Sequence, residues 1–287
     1  MKYLILSLFL VSLTILGCSE ETTNPPAEPA AYTNADGING GILFDQFWSV
    51  ESGFDQTNSN IAKFNASSDF FRCKQCHGWD LMGRSGSYIG RGPKTNRPNI
   101  ADRNLRTTAE NLTAQALFNA IKNGLDAERR DVSADLSTYD PTTNNTIGDR
   151  MPNFSQILTD SQIWNIVKYL KTEALDVSQL YDAVYTGTYP TGKATYSNIG
   201  KDGDATAGLA FYTAKCQVCH GTDGKQIPNL DKTTGLTAGK YARSKPNELQ
   251  HKIKFGKLGS AMKATAGTLT DYKNLYKALS DTIQFPN

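Results

Sequence analysis

The chain has 287 residues, 39% of them apolar and 20% charged, a balance that suits a soluble globular protein of about two domains and excludes long disorder or a polytopic membrane protein. Lys and Arg exceed Asp and Glu by only 2, and no polybasic or polyacidic run occurs, so the charge pattern that marks nucleic-acid binding is missing. Five cysteines and three histidines are left as the informative residues.

Met1-Lys2 precedes an apolar run from Leu4 to Leu16. The run is too short to span a bilayer but matches the core of a secretory signal, so residues 1–17 are predicted to be a signal peptide. Its end, Ile15-Leu16-Gly17-Cys18, resembles the lipobox of bacterial lipoproteins. That resemblance implies acylation of Cys18 and a membrane anchor; ordinary cleavage beside an unrelated cysteine is the alternative. Residues 18–39 are polar and rich in Pro, as expected of an extended tether. An exported protein, periplasmic or at the cell surface, follows from these features.

The rest of the chain divides into two modules of one design, residues 40–181 and 205–287. Cys73-Lys74-Gln75-Cys76-His77 and Cys216-Gln217-Val218-Cys219-His220 both match the haem-attachment pattern, in which two thiols on one helical turn form thioethers and the adjacent His supplies an imidazole to iron. A dithiol redox site would need no following His, and zinc would need further ligands.

On these residues the chain resembles the class I cytochrome c family, and the other landmarks of that family appear twice. Gly41-Ile42-Leu43-Phe44 and Gly208-Leu209-Ala210-Phe211 stand where an N-terminal helix begins. Pro98-Asn99-Ile100 and Pro228-Asn229-Leu230 follow the motifs; the resemblance implies that the carbonyls of Pro98 and Pro228 accept the proximal imidazole Nδ1–H. Leu117, Ile121 and Gly124 repeat the spacing of Leu249, Ile253 and Gly256, an apolar stripe ending in a C-cap. Met151 and Met262 each precede a Leu-Thr-Asp by the same interval, and Thr159 with Gln162 reads as a capping box opening the closing helix. The fold implied is mainly α: two tandem cytochrome c-like helical domains, each wrapped around a covalently bound haem.

The first module carries long insertions, of which Asn58–Ser68 and Asp131–Gly148 are mostly polar and predicted as surface loops. Residues 182–204, rich in Gly, Thr and Tyr, are predicted as the linker. With four cysteines committed to thioethers, Met82 too close to His77 to reach the far side and His251 facing away from its apolar stripe, Met151 and Met262 remain as distal ligands. His251 is then expected to be a solvated surface residue.

The two haem c groups (iron) would therefore be His77/Met151 and His220/Met262 ligated, a set that favours one-electron exchange without an open coordination site. Residues 201–287 hold 13 basic and 7 acidic side chains, and residues 19–200 hold 16 and 21. Lys252, Lys254, Lys257 and Lys263 could steer docking to an acidic redox protein, or the asymmetry could press the modules together. The function expected is electron transfer between respiratory partners, with no catalytic residue assigned. The alternatives are a dihaem redox enzyme, thiosulfate dehydrogenase-like or peroxidase-like, and a fixed electron-transfer subunit of a larger complex.

Overall fold

The computed structural model describes residues 27–94, 97, 99–124, 129–132 and 150–287. The signal sequence, Cys18, Pro98 and nearly all of the 131–148 insertion lie outside the described residues. The first half comprises α1 (Ala30–Thr33), α2 (Gly37–Gln46), α3 (Ile61–Ala66), α4 (Ser68–Phe71), α5 (Cys73–His77), α6 (Leu105–Asn111), α7 (Ala114–Lys122) and α8 (Asp160–Lys168), whose last turn widens to π-helix over Tyr169–Glu173. A hairpin of β1 (Asp182–Thr186) and β2 (Lys193–Ser197) follows, with Asp182 opposite Ser197. The second half comprises α9 (Ala205–Lys215), α10 (Gln217–His220), α11 (Ala238–Ser244), α12 (Pro246–Phe255) and α13 (Leu269–Ser280).

In each half the first and last long helices cross, α2 on α8 and α9 on α13. The two crossings are built alike. The Asp36 carboxylate caps α2, accepting from the N–H of Ile38 and Asn39, and the Asp204 carboxylate caps α9 through Thr206 and Ala207. The backbone N–H groups of Asp36 and Asp204 donate to the side-chain oxygens of Asn165 and Asn274, both at 2.8 Å. Four residues after each cap, Gly40 and Gly208 meet the backbone carbonyls of Asn165 and Asn274 so closely that any Cβ would overlap them.

This fixes the register of the duplication one residue away from the sequence expectation, because Gly40, and not Gly41, is the counterpart of Gly208. Phe44 then corresponds to Tyr212, and both rings are buried. The closing helices also differ from expectation. Thr159 and Gln162 form the expected capping box, but α13 is capped by Thr268 with Asp271, so Thr270 of the second Leu-Thr-Asp lies inside the helix. The equal Met to Leu-Thr-Asp spacing is therefore not a structural equivalence.

Three further expectations are corrected. The tether does not reach residue 39: α1 and α2 fold onto the first half, with Tyr32 buried against Trp164 at 6.3 Å. The Asn58–Ser68 insertion is no surface loop, since Phe64 is 0% exposed and sits edge-on to Phe47 and Phe71; one aromatic among polar residues anchors helix α3. Residues 182–204 form a docked hairpin, whose alternating half-buried residues include Tyr185 and Tyr196 and whose turn places Tyr189 Oη against Ile100 N–H at 3.1 Å.

The halves share helix α12. Phe255 joins the core of the first half against Tyr169, and Gln250 Nε2 donates to the Trp79 carbonyl at 2.7 Å. His251, expected in solvent, is 1% exposed: Nε2–H donates to the Gly41 carbonyl at 3.0 Å and the ring lies 4.4 Å from that of Trp79. Helical geometry did turn it away from the apolar stripe of its own domain, but the face opposite that stripe is covered by the other domain. Lys254 pairs with Glu173 at 2.9 Å, Lys252 with Glu248 at 3.2 Å and Lys257 with Asp231 at 3.9 Å, so three of the four lysines considered for docking are engaged within the chain. Among the described residues no helix is long and apolar enough to cross a membrane.

Candidate functional site

Each half holds a cavity at its attachment motif. In the first, α5 presents Cys73 and His77 to a space of about 300 Å³ walled by Phe44 from α2, Leu117 and Ile121 from α7, Ile166 and Leu170 near α8, and Met151. An adjoining space is lined by Cys73, Cys76, His77 and Met151 together. In the second, Cys216 and His220 face a narrower apolar cleft walled by Tyr212, Leu249, Ile253, Leu275 and Leu279, with Met262 on its lining. Each expected His and Met pair thus shares one cavity. Cys219 lies on α10 at the surface, and Met82 lines neither cavity, consistent with its reading as a packing residue.

The methionine loops are held by backbone. Arg130 N–H donates to the Met151 carbonyl at 2.9 Å and Asn153 N–H to the Arg130 carbonyl at 3.0 Å. In the second half Lys257 N–H donates to the Met262 carbonyl at 2.9 Å, and Met262 N–H donates to Ser260 Oγ at 3.2 Å. Gly256 ends α12 at φ 84° and lies against Met262 and Ala264, where a Cβ would be crowded and strained. It is the C-cap expected from the sequence and it turns the chain toward Met262.

Burial sets the ionisation of the ligand groups. The His77 imidazole is pushed down to about 4 by burial and then by the charges of Arg103 and Arg129, so it is neutral at pH 7 and free to give a lone pair. Burial lowers His220 in the same direction. The Cys73 thiol is pushed up to about 12 and Cys216 to about 11, by burial and by the neighbouring Cys76 and Cys219. These cysteines are kept as thiols rather than thiolates.

The Nδ1 atoms of His77 and His220 are buried without a hydrogen-bond partner. The acceptor role expected of Pro228 is therefore not formed: Gln226 N–H donates to the His220 carbonyl at 3.0 Å and Asn229 Oδ1 accepts from Gly235 N–H at 3.0 Å, and this turn leaves Pro228 exposed.

The residues present fit a covalently held haem in each half: two thiols on one turn, a neutral imidazole beside them, an apolar cavity and a thioether sulfur on the same lining. Among the described residues no group of three or more His, Cys, Asp or Glu gathers as a metal-binding cluster. Sequence reasoning missed Arg103 and Arg129 on the wall of the first cavity, and it considered Lys252 and Lys257 for partner docking, whereas both line the second cavity. Side chains of this charge suit the carboxylates of a haem. It also missed the Asp-x-x-x-Gly pattern at Asp36 and Asp204, a signal legible once the repeat is sought.

The family model described as cytochrome c matches residues 65–174, and the one described as cytochrome C oxidase, cbb3-type, subunit III matches residues 203–275. No curated protein and no solved structure matched the chain. The first match begins after α2, so the structure restores to that domain the helix that the insertion separates from it. Two helix crossings of one design, each beside a cavity with an attachment motif, fall within or beside these two matches; the chain is built from two tandem cytochrome c-type domains.

Proposed function

We propose that the protein is a dihaem electron carrier of the cell envelope, exported and held at a membrane through a lipid on Cys18, passing single electrons between redox proteins. Haem-based electron transfer is the general activity of its two domain types. The observation that carries the finer reading is the pairing of His77 with Met151 and of His220 with Met262 on the lining of separate cavities. A haem bound there would supply a one-electron iron centre, and a neutral thioether opposite the imidazole favours its reduced form and raises the potential.

The chain's part in this is to hold both ligands still. The Met151 and Met262 carbonyls are tied to Arg130 and Lys257. His251 lines neither cavity and its Nε2 is committed to Gly41, so the one histidine outside the motifs is poorly placed for the displaceable ligand of a peroxidase-like enzyme. Redox titration of the purified holoprotein tests the reading: two one-electron steps with slow carbon monoxide binding are expected. Rapid carbon monoxide binding together with peroxide turnover would replace it with an enzyme.

A further inference from the structure

Helix α12 walls the second cavity and packs its opposite face on the first domain. One face carries Leu249, Lys252 and Ile253, which line the second cavity with His220 and Met262. The other carries Gln250, His251 and Phe255, all buried against the first domain. There His251 meets Trp79, a ring that is 2% exposed and lies two residues beyond His77. The centroids are 4.4 Å apart and the planes tilted by 50°. Gln250 Nε2 donates to the Trp79 carbonyl beside this contact at 2.7 Å.

From His77 to the lining of the second cavity the path therefore runs along covalent backbone to Trp79, across one ring contact and one hydrogen bond, and along α12 to Ile253. Electronic coupling falls steeply across empty gaps and is sustained by bonds and tight packing, so this is a favourable connection between the cavities. Lys74 and Lys252 stand over the indole, 4.7 and 4.9 Å from its centroid. Burial pushes the Lys74 ammonium down to about 7, so Lys252 and the protonated fraction of Lys74 put positive charge on the ring face; this makes removal of an electron from the indole harder and disposes Trp79 to act as a medium rather than a redox station. The His251 ring is fixed by the Gly41 carbonyl at 3.0 Å.

We infer that the Trp79–His251 contact is the junction through which the two sites exchange electrons. The inference rests on the dihaem reading above. One electron leaves a ferrous haem in one domain and arrives at a ferric haem in the other; no bond forms or breaks in the protein and no proton moves. Trp79 and His251 are positioning residues for that transfer.

The test uses full-length holoprotein, with one haem reduced by a laser flash and the equilibration followed by absorbance, alongside haem count and both potentials. His251→Leu and Trp79→Leu should slow equilibration by about fivefold or more with both potentials unchanged. Trp79→Phe should retain most of the rate. His251→Gln can keep the Gly41 bond while losing the ring and should be slow, which covers the case in which a Leu variant fails to assemble. Trp164→Phe, which alters a ring stacked on Phe118 at 4.2 Å in the first domain, should leave the rate as it is. Unchanged rates in His251→Gln and Trp79→Leu with two haems present would overturn the junction, as would slowing by the Trp164 change. A single haem per chain would instead overturn the dihaem reading.

Discussion

Gly208 lies against the backbone carbonyl of Asn274 with no room for a side-chain carbon, and Gly40 stands in the same relation to Asn165. Both contacts lie at the crossings that close the domains, and a carbonyl in a helix cannot yield as a flexible side chain can. Gly40→Ala and Gly208→Ala should each destabilise their own domain by about 3 kcal/mol, read by denaturant unfolding. Gly41→Ala should cost less, because the atoms it meets belong to the Phe255 ring, and its effect should be a loosened contact between domains.

The His251 imidazole is held down to about 3 by burial, with Lys252 and Lys74 adding in the same direction and Asp45 opposing. The unfolded chain takes up a proton near pH 6.5 that the folded chain refuses until about pH 3. Folding stability should therefore fall as pH drops through this window, by up to about 1.4 kcal/mol per pH unit from this group. His251→Gln should flatten the dependence, and melts at pH 7 and pH 4.5 compare the two slopes. Equal slopes would show that the group does not contribute.

Met151→Ala and Met262→Ala should each remove about half of the weak far-red sulfur-to-iron band of the oxidised protein and lower one reduction potential, since the thioether that favours the reduced form is lost. Near-infrared absorbance with redox titration checks this site by site. A full-strength band in Met262→Ala would remove that residue from the ligand set.

Acylation of Cys18 would place a multiply acylated anchor at the start of the mature chain, where a single chain would hold only weakly. Cys18→Ala should release the protein from washed membranes or block its processing. Membrane retention of a processed Cys18→Ala protein would point to another tether.

The mainly α duplication was legible, as was the sharing of a cavity by each motif His and its Met, because each signal is local: a spacing, a capping box, an apolar stripe. What was not legible depends on contacts between distant segments. Polar residues around Phe64 disguised a helix whose one aromatic is buried. Tyr185 and Tyr196 lie in a Gly- and Thr-rich stretch that reads as a linker, yet the pairing of Val184 with Thr195 and Tyr185 with Ala194 makes it a hairpin. His251 was placed on the correct side of its helix, but nothing in α12 alone indicates that the first domain covers that side. The register of the repeat escaped for the same reason, since Gly40 and Gly41 differ only in what they touch.

Mass spectrometry of the unfolded holoprotein tests the central claim most directly, because thioether bonds survive denaturation while coordinated ions and loosely held haem do not. The account predicts the mature chain plus two haem masses, falling to one covalent haem when Cys73 and Cys76, or Cys216 and Cys219, are both replaced by Ser. A chain carrying one haem, or none with Cys73 and Cys76 joined as a disulfide, would contradict it.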